Sequence, residues 1–153
     1  MKKVLFVCLG NICRSPMAEY VFKDMINKNN LNNDFYIESA ATSNEEIGND
    51  IHYGTKNKLR EMNIKFGNHK ARQITASDYE KFDYIIGMEE RNVKDIIRIC
   101  GKDIDNKVYR LLDFCSSPRD IADPWYTGNF NITYNDIVEG LNGFINYLFK
   151  IDK

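Results

Sequence analysis

Residues 3–16 read KVLFVCLGNICRSP and join an unbroken apolar run to a loop that holds two cysteines and an arginine. A short apolar run without polar alternation is typical of a strand buried on both faces of a parallel sheet. Ser15 is predicted at the N-cap of a following helix and Pro16 at its first position. The stretch therefore predicts a strand, a loop and a helix in succession, which is the opening unit of an α/β fold.

The same alternation continues along the chain. Apolar runs predict three further strands, at 35–41, 84–88 and 108–112. Apolar residues at helical spacing predict four further helical segments, at 51–62, 77–82, 93–100 and 134–148. Asp50 is predicted to cap the first of these, and 113–131 is predicted to be a long loop. This order indicates a doubly wound α/β sheet with right-handed crossovers, in one domain over 1–153.

Composition excludes several classes of protein. The 153 residues are 43% hydrophobic and 28% charged, with a formal net charge of -1, which is ordinary for a globular domain. No overall field favours nucleic acid or an anionic membrane as a partner, so any anion must be bound locally. The apolar run after Met1 is shorter than a secretory signal core, and no stretch is long enough to span a bilayer. A cytoplasmic protein with mostly reduced cysteines is expected.

The loop between the first strand and the first helix is suited to phosphate chemistry. Backbone N–H groups and the helix dipole make an anion site there, and Arg14 can add a bidentate contact. Gly10 supplies conformational freedom, and Asn11 tolerates a left-handed conformation. The same donors would stabilise a thiolate at Cys8, which is then placed to attack a bound phosphate and form a phosphocysteine.

Other interpretations of the two loop cysteines are weaker. Cys8 and Cys13 are not spaced like a zinc-binding pair, and no second ligand pair follows. A structural disulfide fits poorly with a reducing compartment. A cysteine at a buried strand end is most often a small apolar residue, but glycine, asparagine, arginine and serine around Cys8 favour a nucleophile.

A phosphocysteine route needs an acid to protonate the leaving oxygen and later to activate water. The long fourth loop offers DPWY at 123–126, in which Asp123 precedes a stiffening proline. Trp125 and Tyr126 could flank an aryl group. The alternative is an ordinary Asp-Pro turn with two aromatic residues in the core.

Together these motifs resemble the low-molecular-weight protein tyrosine phosphatases. The segments VCLGNICRSPMAE, ESAATS, HKARQIT, FDYIIGMEERN and DPWY occur in the order of that family and span nearly the whole chain. The resemblance implies a three-layer fold, with a four-stranded parallel sheet between helices on both faces. It also implies hydrolysis of phosphotyrosine in proteins or peptides, with no metal and no cofactor.

The resemblance also implies roles for individual residues. Cys8 would be the nucleophile, Arg14 the phosphate clamp and Asp123 the general acid and then base. The phosphate cradle would be formed by Leu9, Gly10, Asn11, Ile12, Cys13, Arg14 and Ser15. Behind it, a hydrogen-bonded layer would comprise Asn11, Ser15, Ser39 and His69, with Ser15 donating to Cys8. The walls of the substrate cleft would be Ile12, Glu45, Trp125 and Tyr126.

Several positions depart from the family pattern or raise a further question. Glu45 stands where many relatives have an aromatic wall, which predicts a preference for basic residues near the phosphotyrosine; a solvated acidic loop is the alternative. Trp125 stands where tyrosine is frequent, so the aromatic wall is kept. Glu89 replaces a frequent aspartate, which leaves open how His69 is held. Cys13 could form a reversible protective disulfide with Cys8, or simply pack beneath the loop.

Three rival functions remain. A thioredoxin-coupled arsenate reductase shares the first loop but needs a relay of nearby cysteines, whereas Cys100 and Cys115 are remote. A phosphoarginine phosphatase would carry a smaller polar residue at the position of Ile12. A non-catalytic phosphotyrosine-binding module would not need Cys8, Arg14 and Asp123 together. The chain is expected to be a monomer or a weak dimer.

Overall fold

The structure, a computed structural model, describes residues 1–151. Its four strands form one parallel sheet in the order β2-β1-β3-β4. They are β1 (Lys2–Cys8), β2 (Phe35–Ala41), β3 (Tyr84–Gly87) and β4 (Val108–Arg110). The predicted parallel α/β sheet is confirmed, and the last two residues of the predicted domain lie outside the described part.

Six α-helices accompany the sheet within residues 1–151. They are α1 (Arg14–Lys28), α2 (Tyr53–Glu61), α3 (Ala76–Lys81), α4 (Glu90–Cys100), α5 (Pro124–Thr127) and α6 (Phe130–Ile151). Apolar residues of α1, α2 and α6 pack on one face of the sheet, and those of α3 and α4 pack on the other. None of these helices is long and apolar enough to cross a membrane.

The central strand β1 divides the core into two halves. Val4, Phe6 and Cys8 point into the cluster formed with α1 and α6, while Leu5 and Val7 point into the cluster formed with α3 and α4. All five are buried. Because successive side chains of a strand point to opposite faces, a strand covered on both sides must be apolar throughout. This accounts for the unbroken apolar run at the start of the sequence.

The predicted N-cap of α1 is wrong. The helix begins at Arg14, with Cys13 in the cap position, so Ser15 and Pro16 lie inside its first turn. The hydroxyl of Ser15 is engaged by the side chains of Cys8 and Asn11 instead of the helix backbone. Proline is tolerated in this turn because the first N–H groups of a helix have no intrahelical partner.

The predicted cap of α2 is also wrong. His52 occupies the cap position, and its Nδ1 accepts a hydrogen bond from the backbone N–H of Gly54. The carboxylate of Asp50 accepts from the N–H of Ile51 and pairs with Lys56. A residue two positions later in the chain therefore performs the capping.

The predicted long loop at 113–131 is only partly irregular. β4 ends at Arg110, and Leu111–Phe114 form a 3₁₀ turn where strand was predicted to continue. Later in the segment Asp123 caps α5, and α6 begins at Phe130. Between these elements Ile121 is fully buried, and its N–H donates to the carbonyl of Met88. This contact fixes the acid-bearing segment against the end of β3.

A buried carboxylate stabilises the segment before α3. Asp78 accepts hydrogen bonds from the guanidinium of Arg72 at 2.9 Å and from the N–H of Thr75 at 2.8 Å. Burial alone would raise the pKa of Asp78, but these hydrogen bonds outweigh it and lower the pKa below its ordinary value of 3.8. The N–H of Arg72 in turn donates to the side chain of Asn11, so this segment also supports the first loop.

The Asp78→Asn variant should lower the free energy of unfolding by about 1–3 kcal/mol at neutral pH, because it removes the charge from a buried, hydrogen-bonded group. Since the folded-state pKa is lowered, the stabilisation is present above pH 3.8 and is lost as the pH falls through the folded-state value. Denaturant unfolding at a series of pH values measures this. Exposed Asp105→Asn is the control, expected within about 0.5 kcal/mol of wild type. An Asp78→Asn effect that stays constant into strong acid would contradict the charge argument.

Candidate active site

A cavity of about 130 Å³ lies at the carboxyl ends of the strands, where β1 leads into α1. This edge is where ligands bind in open α/β sheets. The cavity brings together Cys8, Arg14 and Asp123, which are far apart in the sequence. Its remaining lining includes the four predicted wall residues, which are Ile12, Glu45, Trp125 and Tyr126. The predicted reactive and wall residues therefore meet in one place.

The backbone of the first loop is turned so that its carbonyls face the surrounding protein. Five loop carbonyl oxygens accept hydrogen bonds from outside the loop, namely those of Cys8, Leu9, Asn11, Ile12 and Cys13. The donors belong to Thr42, Ser43, His52, Thr55 and His69. Since the N–H of a peptide points away from its C=O, the loop directs its N–H groups inward. The result is a concave set of donors of the kind that binds anions.

The sulfur of Cys8 lies at the base of this loop. Its Sγ is 3.1 Å from the hydroxyl oxygen of Ser15, to which the thiol donates. It also accepts a hydrogen bond from the N–H of Asn11 at 3.3 Å. A thiolate at this position could instead accept from the Ser15 hydroxyl, as the sequence predicts. The two atoms that the prediction pairs are in contact, while the functional role of Ser15 stays a prediction.

Asn11 is the centre of the hydrogen-bonded layer behind the loop. It adopts a left-handed backbone conformation with φ of 61° and is fully buried. Its amide nitrogen donates to the hydroxyls of Ser15 at 2.8 Å and Ser39 at 2.9 Å, and its amide oxygen accepts from the N–H of Arg72. The Ser39 hydroxyl donates to the carboxylate of Glu19. These contacts lock the loop from below.

His69 is held by the backbone of the loop. Its Nε2 donates to the carbonyl oxygen of Asn11 at 2.7 Å. Glu89, which the sequence places as a candidate partner of His69, pairs with Arg14 instead, at 3.3 Å. Glu89 also caps α4, where Asn92 completes a reciprocal capping box. The question that the sequence leaves open is thus answered by a main-chain contact.

Arg14 is almost completely buried and is held from three sides. Its Nη1 donates to the carbonyl of Ile121 at 2.9 Å, and its guanidinium lies 3.3 Å from Glu89 and 3.4 Å from Asp123. Burial works against the charged form, but the charges of Cys8, Asp123 and Glu89 outweigh it and raise the pKa of Arg14 above its ordinary value. Arg14 therefore offers a fixed positive charge at the cavity.

Asp123 uses both of its carboxylate oxygens. One accepts from the backbone N–H of Trp125 at 3.0 Å, which caps α5. The other lies 3.4 Å from the guanidinium of Arg14. The Asp-Pro pair thus begins a short helix that presents the carboxylate to the cavity.

Cys13 lies in the same loop as Cys8 but in a different environment. It is buried, and its carbonyl oxygen accepts a hydrogen bond from the hydroxyl of Thr55 in α2 at 3.3 Å. Burial first, and then the negative charges of Cys8 and Asp123, raise the pKa of the Cys13 thiol to about 12. Both loop cysteines are free thiols in this structure. A disulfide between them stays a prediction.

Sequence reasoning missed Glu19 and Ser43, and it did not foresee the partner of Glu89. Glu19 supports Ser39, and Glu89 pairs with Arg14. Ser43 lines the cavity, and its buried hydroxyl has no hydrogen-bond partner in the described part of the chain. A signal for Glu19 exists, because it follows Ser15 by four residues and so shares its helix face. Within residues 1–151, no cluster of histidine, cysteine, aspartate and glutamate could hold a metal ion.

Comparison with known proteins gives a consistent result. A sequence model of the family described as low molecular weight phosphotyrosine protein phosphatase matches residues 3–152. The Bacillus subtilis protein named low molecular weight protein-tyrosine-phosphatase YfkJ is 44% identical over 132 residues, which cover 85% of each chain. The Gallus gallus low molecular weight phosphotyrosine protein phosphatase is 40% identical over 151 residues, covering 95% of this chain and 94% of the relative.

Solved structures show the same fold. The crystal structure of YfkJ from Bacillus subtilis superposes with a TM-score of 0.95 at 39% identity, covering 100% of this chain and 98% of that chain. The crystal structure of DARP, a Drosophila arginine phosphatase, superposes with a TM-score of 0.86 at 30% identity, covering 97% and 98%. The three-layer architecture expected from the sequence is therefore confirmed.

Proposed function

The chain belongs to the low molecular weight phosphotyrosine protein phosphatase family, and we propose that Cys8, Arg14 and Asp123 carry its reaction. The observation that supports this assignment is the single cavity in which the thiol, the guanidinium and the carboxylate meet. The enzyme is a protein tyrosine phosphatase, so its substrates are phosphotyrosine-containing proteins. Two further points stay predictions, namely that the chain is a monomer or a weak dimer and that it is located in the cytoplasm.

In the first step the Cys8 thiolate attacks phosphorus while the bond from phosphorus to the tyrosine oxygen breaks. Asp123 donates its proton to the departing phenolate oxygen, and a phosphocysteine remains. Arg14 and the inward N–H groups hold the three non-bridging oxygens as charge builds on them. The bound dianion takes over the guanidinium that Arg14 directs at Asp123 in the free site.

In the second step water attacks the phosphorus of the phosphocysteine. Asp123, now a carboxylate, takes a proton from this water, and the bond from phosphorus to sulfur breaks to release phosphate and the Cys8 thiolate. The N–H of Asn11 donates to the departing thiolate, and the Ser15 hydroxyl, 3.1 Å from the sulfur, can turn to donate to it as well. The layer of Ser39 and His69 keeps the loop in the shape that both steps require.

The walls of the cavity favour a flat aryl ester. Ile12 contributes a bulky apolar surface, and Trp125 and Tyr126 contribute aromatic surfaces. Aromatic side chains contact a substrate ring over a large apolar area. A phosphoarginine substrate is the second candidate, since the Drosophila relative is named an arginine phosphatase. The planar, charged guanidinium of such a substrate lacks a matching polar group at Ile12.

The substrate class is tested with matched phosphopeptides that differ only at the phosphorylated residue. We expect kcat/KM for the phosphotyrosine peptide to exceed that for the phosphoarginine peptide by about 100-fold or more, because Ile12, Trp125 and Tyr126 give apolar contacts to a phenyl ring, whereas Ile12 offers no hydrogen bond to a guanidinium. Comparable values would refute the aryl preference while leaving the phosphatase chemistry intact.

Charge around the cavity predicts a second level of selectivity. Glu45 and Glu46 both line the cavity. A substrate with lysines beside the phosphotyrosine should have a kcat/KM about three- to tenfold higher than one with glutamates, at low ionic strength. The Glu45→Gln variant should reduce this ratio, whereas Glu61→Gln, on α2 and exposed, should not. Equal kcat/KM values for the two peptides in low salt would refute the preference.

A further inference from the structure

His52 lies at a junction between the phosphate loop and the turn that carries the acid. Its backbone N–H donates to the carbonyl of Ile12 at 2.9 Å. Its Nδ1 accepts from the backbone N–H of Gly54 at 3.1 Å and so caps α2. The first contact belongs to the main chain and survives any change of side chain, while the second needs a side-chain acceptor.

The imidazole ring of His52 is also packed among three aromatic side chains. It stacks on Tyr53 with a centroid distance of 4.4 Å and on Phe130 with one of 5.6 Å and an interplanar angle of 14°. The edge-to-face partner is Trp125, at 5.5 Å and 73°. All three separations lie within or close to the range of favourable aromatic pairs. The ring therefore links α2, α5 and the start of α6.

Gly54 makes room for this arrangement. A Cβ atom at this position would lie 2.3 Å from Cζ of Phe130, far inside van der Waals contact. The ring of Phe130 thus rests directly on the backbone of α2, where it stacks parallel to His52. Residues from three elements are in this way fitted around one imidazole.

Trp125 connects this aromatic packing to the cavity. Its indole lines the cavity, yet its side chain is 57% exposed, so few neighbours are available to fix it. Its backbone N–H donates to Asp123. A change that frees the indole therefore alters the wall of the cleft directly, and it can reach the acid through the backbone of Trp125.

We propose that His52 is a positioning residue for the reaction, because its ring holds Trp125 against the cavity and, through Trp125, orients Asp123. The proposal rests on the roles proposed above for these two residues. In this proposal the ring of His52 positions Trp125, and its Nδ1 stabilises the start of α2. The two parts can be separated by substitution.

Two variants of His52 test the proposal. His52→Phe keeps an aromatic ring but has no acceptor for Gly54, while His52→Asn keeps an acceptor but has no ring. We expect His52→Asn to lower kcat/KM for a phosphotyrosine peptide by about three- to tenfold, and His52→Phe to stay within about twofold of wild type. The inhibition constant of inorganic phosphate should be unchanged in both, because the contact with Ile12 is made by the main chain.

Fluorescence supplies a readout that does not depend on activity. The chain has one tryptophan, Trp125, so acrylamide quenching reports its mobility directly. Quenching should rise in His52→Asn and stay near the wild-type level in His52→Phe. Phe130→Leu removes the ring stacked on His52 and keeps the cap of α2, so it should behave like His52→Asn. It keeps the test of the packing possible if loss of the cap prevents His52→Phe from folding.

A double-mutant comparison completes the test. In a Trp125→Ala background, His52→Asn should cause little further loss of kcat/KM, because the group that it positions is already absent. The proposal is overturned if His52→Asn matches wild type in kcat/KM and quenching, or if its loss adds fully to that of Trp125→Ala. Absence of phosphotyrosine hydrolysis by the wild-type enzyme would instead refute the proposed function, and the quenching result would still decide the placement of Trp125.

Discussion

Replacing Cys8 by serine is expected to abolish turnover of an aryl phosphate, with kcat lowered on the order of 10⁴-fold or more. A serine hydroxyl has the right size for the site but remains protonated, so it cannot attack phosphorus as the thiolate does. The loop N–H groups and Arg14 are unchanged, and the variant should still bind inorganic phosphate with near wild-type affinity. Steady-state assays with an aryl phosphate, together with phosphate titration, measure the two effects separately.

Cys13→Ser is the matched control for this variant. Cys13 lies in the same loop and is equally buried, but its thiol holds its proton because burial raises its pKa to about 12. We expect its replacement to leave kcat within about tenfold of wild type. Rapid acid quenching during turnover should trap phosphate on wild-type protein and on Cys13→Ser, and none on Cys8→Ser. Retention of substantial turnover by Cys8→Ser would refute the phosphocysteine route.

Local patterns were sufficient to place the strands and to bring Cys8 and Arg14 into one loop. The apolar run of β1 predicts a strand buried on both faces because no polar residue interrupts it. Cys8 and Arg14 are close in sequence, so their shared loop follows from the strand and helix on either side. Asp123 is remote from them, and the spacing of residues alone does not place it near the loop. The family resemblance supplied that connection.

The errors arose where a side chain has more than one available partner. Serine is a residue type that often caps helices, but the hydroxyl of Ser15 is engaged by Cys8 and Asn11 across the loop. Aspartate is likewise a good capping residue, but the carboxylate of Asp50 forms an ion pair with Lys56, and His52 caps α2 instead. Helix propensities describe the single element and contain no information about such competing contacts.

Residues that act through long-range contacts were missed for a related reason. Glu89 meets Arg14 only because β3 lies beside β1 in the sheet, which brings α4 next to the first loop. His52 meets Trp125 and Phe130 only because α5 and the start of α6 lie beside the start of α2. Such pairs depend on the order of strands and on loop geometry, and neither is encoded in a local pattern.

Replacing Asp123 by alanine should slow esters with poor leaving groups far more than activated esters. A phenolate such as that of tyrosine, with an ordinary pKa of about 10, needs a proton as it departs. For such a substrate we expect kcat/KM to fall by about 10²- to 10³-fold. For aryl phosphates with strongly acidic phenols the fall should be below about tenfold, because these groups leave as anions. A plot of log kcat/KM against leaving-group pKa should therefore become much steeper.

Asp123→Asn separates proton donation from the structure of the loop. An asparagine can still accept the hydrogen bond from the N–H of Trp125 that caps α5, but it cannot act as an acid. It should therefore show the same steep dependence as Asp123→Ala, with the loop kept in place. Asp120→Asn, an exposed carboxylate that pairs with Arg110 in the same segment, should retain the shallow dependence of wild type. Equal slowing of activated and unactivated esters by the Asp123 variants would show that this residue organises the loop instead of donating the proton.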